Sequence, residues 1–126
     1  MEDFLDLMSQ DPVKAPFLTE PMKDYMRNIA LCAFEKGFLQ LSFLEIDGQK
    51  AAAKMVFNYQ NRLLAYNSGV DRRFWQQSPG WVLIGYLLQW ATENGFEEFD
   101  LMRGDEEYKY RFGAIDRFVM RATLER

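Results

Sequence analysis

The chain has 126 residues, enough for one domain and few for two. Hydrophobic residues make up 48% and aromatic residues 16%, with a formal net charge of −4. This composition excludes a disordered chain and argues against a partner such as DNA, for which a basic stripe is expected. Histidine is absent and there is one cysteine. Ser-His-Asp and Cys-His catalysis, His-ligated zinc or haem and an intramolecular disulfide are therefore excluded, and no metal site is expected. Chemistry must run on carboxylates, Tyr, Lys, Arg, backbone amides or a reactive co-substrate.

Met1-Glu2-Asp3-Phe4 is acidic where a secretion signal would be basic. The longest apolar stretch, Trp81 to Leu88, is too short to span a bilayer. A cytoplasmic, reducing location is the expectation. Phe4 to Ser9 reads as a short helical turn ending before Asp11-Pro12. A longer helix opens near Thr19, with Glu20 and Pro21 in its first turn and Gly37 just past its end. Met22, Met26, Ile29, Ala30, Ala33 and Phe34 form its apolar stripe. Cys32 is expected on this helix as a small buried residue.

The period then changes from helical to alternating. Leu39 to Ile46 predicts a strand, Asp47-Gly48 a tight hairpin and Lys50 to Asn58 a second strand. After the turn at Tyr59 to Arg62, Leu63 to Ser68 makes a third strand of an antiparallel meander. A loop at Asn67 to Asp71 and an ambiguous connection, Arg72 to Gln77, follow. Ser78 suits a helix N-cap and Pro79 the first helical position. The helix they open, through Ala91, is apolar almost all round, which predicts burial on most sides, and Asn94-Gly95 ends it. Phe96 to Leu101 reads as a buried strand, Asp105 to Phe112 as a short polar helix and Phe118 to Leu124 as a last strand. The fold class is α/β (α+β), a mixed central sheet flanked by helices in the order α-α-β-β-β-α-β-α-β, with residues 1–126 as a single domain. The strand-helix-strand unit from Leu63 to Leu101 makes that strand pair parallel.

Ligands of such sheets bind near the carboxyl ends of strands and at helix N-termini. Gln77-Ser78-Pro79-Gly80-Trp81-Val82 supplies one candidate, where free N–H groups suit a phosphate and Gly80 permits close approach; it could equally be a good helix start. The second candidate is Phe99 to Lys109. Asp100 is an acid inside an apolar strand and needs a partner or a role. It either pairs with Lys109 or Arg103 to hold the helix on the sheet, or it is catalytic. The late basic residues, Arg103, Lys109, Arg111, Arg117, Arg121 and Arg126, alternate with acids as on a solvated mixed face.

Tyr66 to Asp71, then Ser78-Pro79-Gly80, then Phe99-Asp100-x-x-x-Gly104-x-x-x-Tyr108-Lys109-x-x-Phe112-Gly113, carry a resemblance over nearly the whole chain to the GNAT acyltransferase fold. The pattern is most similar to the branch shared by Fem-like peptidoglycan aminoacyltransferases and CelD-type proteins named for cellulose biosynthesis. Relatives in this branch are longer, with two GNAT-like halves, and this chain resembles the C-terminal half without the first strand. The pyrophosphate loop of acetyl-CoA-binding members is Arg/Gln-x-x-Gly-x-Gly/Ala; here Gln77-x-x-Gly80-x-Val82 keeps the first glycine and not the second small residue.

The resemblance implies an N-acyltransferase taking acyl-CoA, acetyl-CoA first, and a small-molecule or peptide amine as acceptor. A thioester donor is already activated, so the missing histidine is no obstacle. The implied roles are Asp100 as orienting carboxylate or base, Tyr108 as acid to the leaving thiolate and Lys109, the best match, as electrostatic stabiliser. Gln77, Ser78, Pro79, Gly80 and Trp81 are the implied CoA-binding residues. Two alternatives stand beside this. One is a non-catalytic half that forms a homodimer or supports a missing N-terminal GNAT half. The other is aminoacyl-tRNA-dependent transfer, which the acidic charge disfavours.

Overall fold

A computed structural model describes residues 1–125. The first helix, α1, spans Glu2–Ser9 and buries Phe4, Leu5, Leu7 and Met8. A 3₁₀ turn at Ala15–Phe17 leads to α2, Glu20–Glu35. Thr19 is extended and its hydroxyl accepts from the Met22 N–H at 3.4 Å, satisfying one of the unpaired donors of the first turn. Met26 and Ala30 are buried with the apolar face of α1, and Met22 packs against them. The stripe does not hold to its end, since Phe34 is 70% exposed. Cys32 is exposed as well, against expectation. It stands roughly 200° round the helix from Ala30, on the side turned away from the sheet.

Three antiparallel strands follow: β1 (Leu39–Ile46), β2 (Gln49–Tyr59) and β3 (Arg62–Val70). Both connections are two-residue turns with both φ values positive, at Asp47-Gly48 and at Gln60-Asn61, the geometry that matches strand twist. The strand β3 runs on to Val70 where a loop from Asn67 was expected, because residues 67 to 70 find partners on β2 from Ala52 to Met55. After a 3₁₀ turn at Arg72–Gln77 comes α3, Pro79–Glu93. The last strand, β4 (Glu98–Asp100), is shorter than Phe96 to Leu101 and pairs in parallel with β3 as expected. The sheet order is β1-β2-β3-β4, and α4, Glu107–Arg111, follows.

Strand alternation sorts two cores. Ala53 and Met55 of β2 point to α1 and α2. Ala52 and Val56, with Leu63 of β3, point to Leu83, Leu87 and Ala91 of α3. Only the sheet-facing stripe of α3 is buried; Trp81 is 43% and Tyr86 60% exposed, because no further layer covers the outer side among the described residues. The expected strand Phe118 to Leu124 does not form. Its apolar residues stand in solvent, Val119 at 97% exposure. Alternating sequence cannot make a strand without a ladder, and β4 pairs on its one side for three residues only. No helix among the described residues is long and apolar enough to cross a membrane.

The α1 helix presses directly on Gly69 of β3. A Cβ there would lie 2.6 Å from the Leu7 carbonyl carbon and 2.8 Å from its Cβ. Gly69→Ala is therefore expected to destabilise the protein by about 3 kcal/mol through overpacking. Gly85→Ala, in α3 with nothing within 4 Å of the added carbon, should stabilise it by about 0.5–1 kcal/mol. Urea unfolding of the two variants checks both signs.

Candidate functional site

The strands β3 and β4 part early. Their last paired residues are Leu64 and Asp100, after which β3 continues to Val70 alone on that side. The chain leaves β4 through Met102, whose φ is 60°, and the Asp100 carboxylate accepts the Met102 N–H at 2.6 Å. The result is a gap at the carboxyl end of the sheet, where open α/β sheets bind ligands.

One wall of the gap is the loop from Leu101 to Glu106, and Lys109 shapes it. The Lys109 ammonium donates to the carbonyls of Arg103 at 2.9 Å and Gly104 at 3.2 Å. It also pairs with the Glu106 carboxylate at 2.9 Å, with its own side chain only 7% exposed. Gly104 has φ +112°, and a Cβ there would sit 2.6 Å from a Glu106 carboxylate oxygen, so this position requires glycine. The Lys109 hydrogen bond, followed by a backbone N–H, holds Glu106 below the usual carboxylate range. Of the readings open for Asp100, the ion pair with Lys109 or Arg103 does not form among the described residues; Glu106, three residues before Lys109 and one helical turn away, takes the ammonium instead. Burial and, secondarily, the Glu106 charge raise Tyr108, which keeps its proton well past neutral pH.

The floor holds a charge that the sequence reading missed. Lys54 lies on β2 opposite Ser68, in the row Ala52, Lys54, Val56 that faces α3, and is 5% exposed. The Ser68 carbonyl accepts from the Lys14 ammonium at 2.7 Å. Burial first, then repulsion from Lys14 and Lys109, pushes Lys54 down to about 8; only Glu106 opposes the shift. Among the described residues nothing accepts a hydrogen bond from the Lys54 ammonium, and as no buried side-chain nitrogen is left unpartnered, its tip reaches solvent. The signal was in the sequence, a lone cation inside the apolar run Ala51 to Phe57.

The other wall is the start of α3. Ser78 adopts the left-handed conformation, φ 50° and ψ 50°, and its side chain makes no cap bond, contrary to the N-cap reading. Its carbonyl instead accepts from the N–H groups of Trp81 and Val82, at 3.1 and 3.2 Å. Pro79 is buried and has no N–H, and the Gly80 N–H has no backbone acceptor among the described residues. A Cβ on Gly80 would meet Val70 at 3.3 Å, so the helix start abuts the end of β3. Gln77 is exposed at the end of the 3₁₀ turn. Trp81 joins the walls: its ring lies 5.4 Å from that of Phe112, and the Arg111 guanidinium sits 5.9 Å over it. The fold thus brings Gly80 and Trp81 to one side of the gap and Tyr108 and Lys109 to the other. Two surface depressions lie elsewhere, one by α1 and the β1–β2 turn, one between β1 and α3. In the first, Asp3 is paired with Lys50 and Asp71 with Arg73, which leaves those charges engaged.

A family model for the acetyltransferase (GNAT) domain matches residues 1–110. The chain belongs to this GNAT family. The match takes in both walls of the gap and its floor, up to Lys109. The mixed four-stranded sheet with helices on both faces is the GNAT-like architecture expected from the resemblance. No solved structure matches the chain.

Two lysines of this GNAT domain, Lys109 and Lys54, should respond oppositely to loss of charge. Lys109→Met removes the donor from two carbonyls and a carboxylate and should cost about 2 kcal/mol. A base depressed by the fold is carried at a cost below its folded pKa, and that cost fades as the pH rises from about 8 towards the ordinary 10.5. Lys54→Met should therefore stabilise the protein at pH 7, by up to about 3 kcal/mol, with the gain shrinking above pH 8. Urea unfolding of both variants at pH 7 and pH 10 reads the signs.

Proposed function

We propose that this domain is an N-acyltransferase moving an acyl group from acyl-CoA, acetyl-CoA first, to an amine. The observation that carries this is the Trp81–Phe112 contact, which sets the N-terminus of α3 and the Tyr108-Lys109 segment on opposite sides of one gap at the end of β3. The residues present suit the donor. The Gly80 N–H and the positive end of α3 are available for a phosphate, with Arg111 adding a cation beside Trp81. Val82, in place of a small residue, stands on the exposed flank of α3, roughly 200° from Gly80 round the helix.

A bound acyl-CoA supplies an acyl group already activated as a thioester, so the protein needs no nucleophile of its own. In aminolysis a C–N bond forms, the C–S bond breaks, the amine loses a proton to solvent and the thiolate must gain one. Tyr108, protonated at working pH, is the donor of that proton. Lys109 keeps the loop from Leu101 to Glu106 closed against α4 and contributes positive charge to that wall. Asp100 positions the turn that opens the gap, through the Met102 N–H. Gln77, Ser78 and Pro79 set the approach to Gly80. We place the chain in the Fem-like and CelD-like branch on its motif spacing. With a net charge of −4, acyl-CoA is preferred over aminoacyl-tRNA as donor.

A second reading, a half that acts through a partner or a second copy, is favoured by the exposed apolar residues Phe118, Val119, Met120 and Leu124 and by the position of β4 at the sheet edge. Sedimentation showing a clean monomer that binds CoA contradicts it.

Acetyl-CoA at ten times its Kd should stabilise the protein by about 1.4 kcal/mol, a rise of several degrees in Tm. Gly80→Asp should abolish the shift while the unliganded protein stays folded, the favourable carboxylate in the first turn of α3 offsetting in part the 3.3 Å approach of its Cβ to Val70. No shift of the wild-type protein at millimolar acetyl-CoA contradicts the acyl-CoA reading.

A further inference from the structure

We propose that the Lys54 ammonium is an anion-binding site that receives a carboxylate or phosphate of the acyl acceptor, at the floor of the gap between β3 and β4. The inference rests on the gap being the transfer site and adds the chemical class of the acceptor: an amine that also carries an oxyanion.

Location supports it first. Lys54 stands on the central strand β2, between Ala52 and Val56, both 0% exposed, and opposite Ser68 on the part of β3 that has outrun β4. Its neighbours support it next. Lys14 is committed to the Ser68 carbonyl, and Lys109 to two carbonyls and Glu106. Lys54 alone of the three has no acceptor among the described residues. The ionisable groups that act on it are Lys14, Lys109 and Glu106. With Lys54 itself these are three cations and one anion, leaving a formal excess of two positive charges where the lysine stem is buried and the ammonium still reaches solvent. An oxyanion restores that balance and takes the place of water at the ammonium. A lysine offers a point charge and not a planar fork, so a single oxygen of either group satisfies it.

A depressed lysine could instead work as a neutral base. The surrounding lysines argue otherwise, since a base that takes up a proton beside two further cations is hindered, whereas an arriving anion is attracted by all three. The donor's phosphates are accounted for separately, at the N-terminus of α3.

The test uses the whole chain labelled with ¹³C at the lysine ε-carbons, titrated with pH in the absence and presence of inorganic phosphate and, separately, acetate. Without anion one lysine, absent from the spectrum of Lys54→Met, should titrate near 8. Saturating phosphate or acetate should raise its midpoint by about one unit, and Lys54→Met should weaken anion binding about tenfold or more. Comparing the two anions tells phosphate from carboxylate. An unmoved midpoint, or equal anion binding by the wild type and Lys54→Met, overturns the proposal. The acetyl-CoA thermal shift, measured on the same samples, separates the two readings. A shift that persists in wild type and Lys54→Met while the Lys54 midpoint stays unmoved removes the anion site and leaves acyl transfer standing. A Lys54 response to anions with no acetyl-CoA shift removes the acceptor assignment.

Discussion

The Lys109 ammonium holds the open end of the sheet in shape. Leaving β4 after only three paired residues, the chain would have no ladder to guide it, and its carbonyls would turn to solvent. Lys109 reaches back from α4 to collect the carbonyls of Arg103 and Gly104 and the Glu106 carboxylate. That single side chain ties the loop from Arg103 to Glu106 to α4. The Phe112–Trp81 contact then carries the same constraint across to the N-terminus of α3. The gap is thus bounded by two walls whose relative position depends on side chains from one short helix.

Charge is distributed unevenly around this gap. On the outer surface, acids and bases pair off, as Glu2 does with Arg27 and Glu107 with Arg111. At the floor, Lys14, Lys54 and Lys109 gather around one carboxylate, and Lys54 is left without an acceptor among the described residues. A fold selected for stability alone would put an apolar residue between Ala52 and Val56. Perturbed groups held at a cost to the fold collect at functional sites, and this one lies on β2 beside the end of β3 that borders the proposed transfer site.

The local elements were legible because their causes are local. Thr19 with Pro21 opened α2, Asp47-Gly48 made the hairpin, and Pro79 through Ala91 gave α3. The errors lay where partners decide. Residues 67 to 70 became strand because β2 offered a ladder, and Phe118 to Leu124 stayed outside regular structure for want of one. Burial of α3 was overestimated because an all-round apolar helix can still have one covered face. At the candidate site, Gly80, Trp81, Tyr108 and Lys109 were singled out by motif spacing, and the fold places them on the two walls of one gap. Glu106, three residues before Lys109, was within reach of spacing but was passed over for Asp100, whereas Lys14 could not be assigned, since its partner is a β3 carbonyl at Ser68, far away in sequence. Lys54 was readable by the same argument that singled out Asp100, a charge inside an apolar strand, and of the two it is the one left without an acceptor.

The most direct test of the transfer site is the map of backbone amide shifts produced by acetyl-CoA in the ¹⁵N-labelled protein. The account predicts that the largest changes fall at Ser68 to Val70, at Gly80 and Trp81, and at Tyr108 and Lys109, the two walls and the strand between them. Changes confined to α1, α2 and the β1–β2 turn would put the ligand on the other face of the sheet and contradict it.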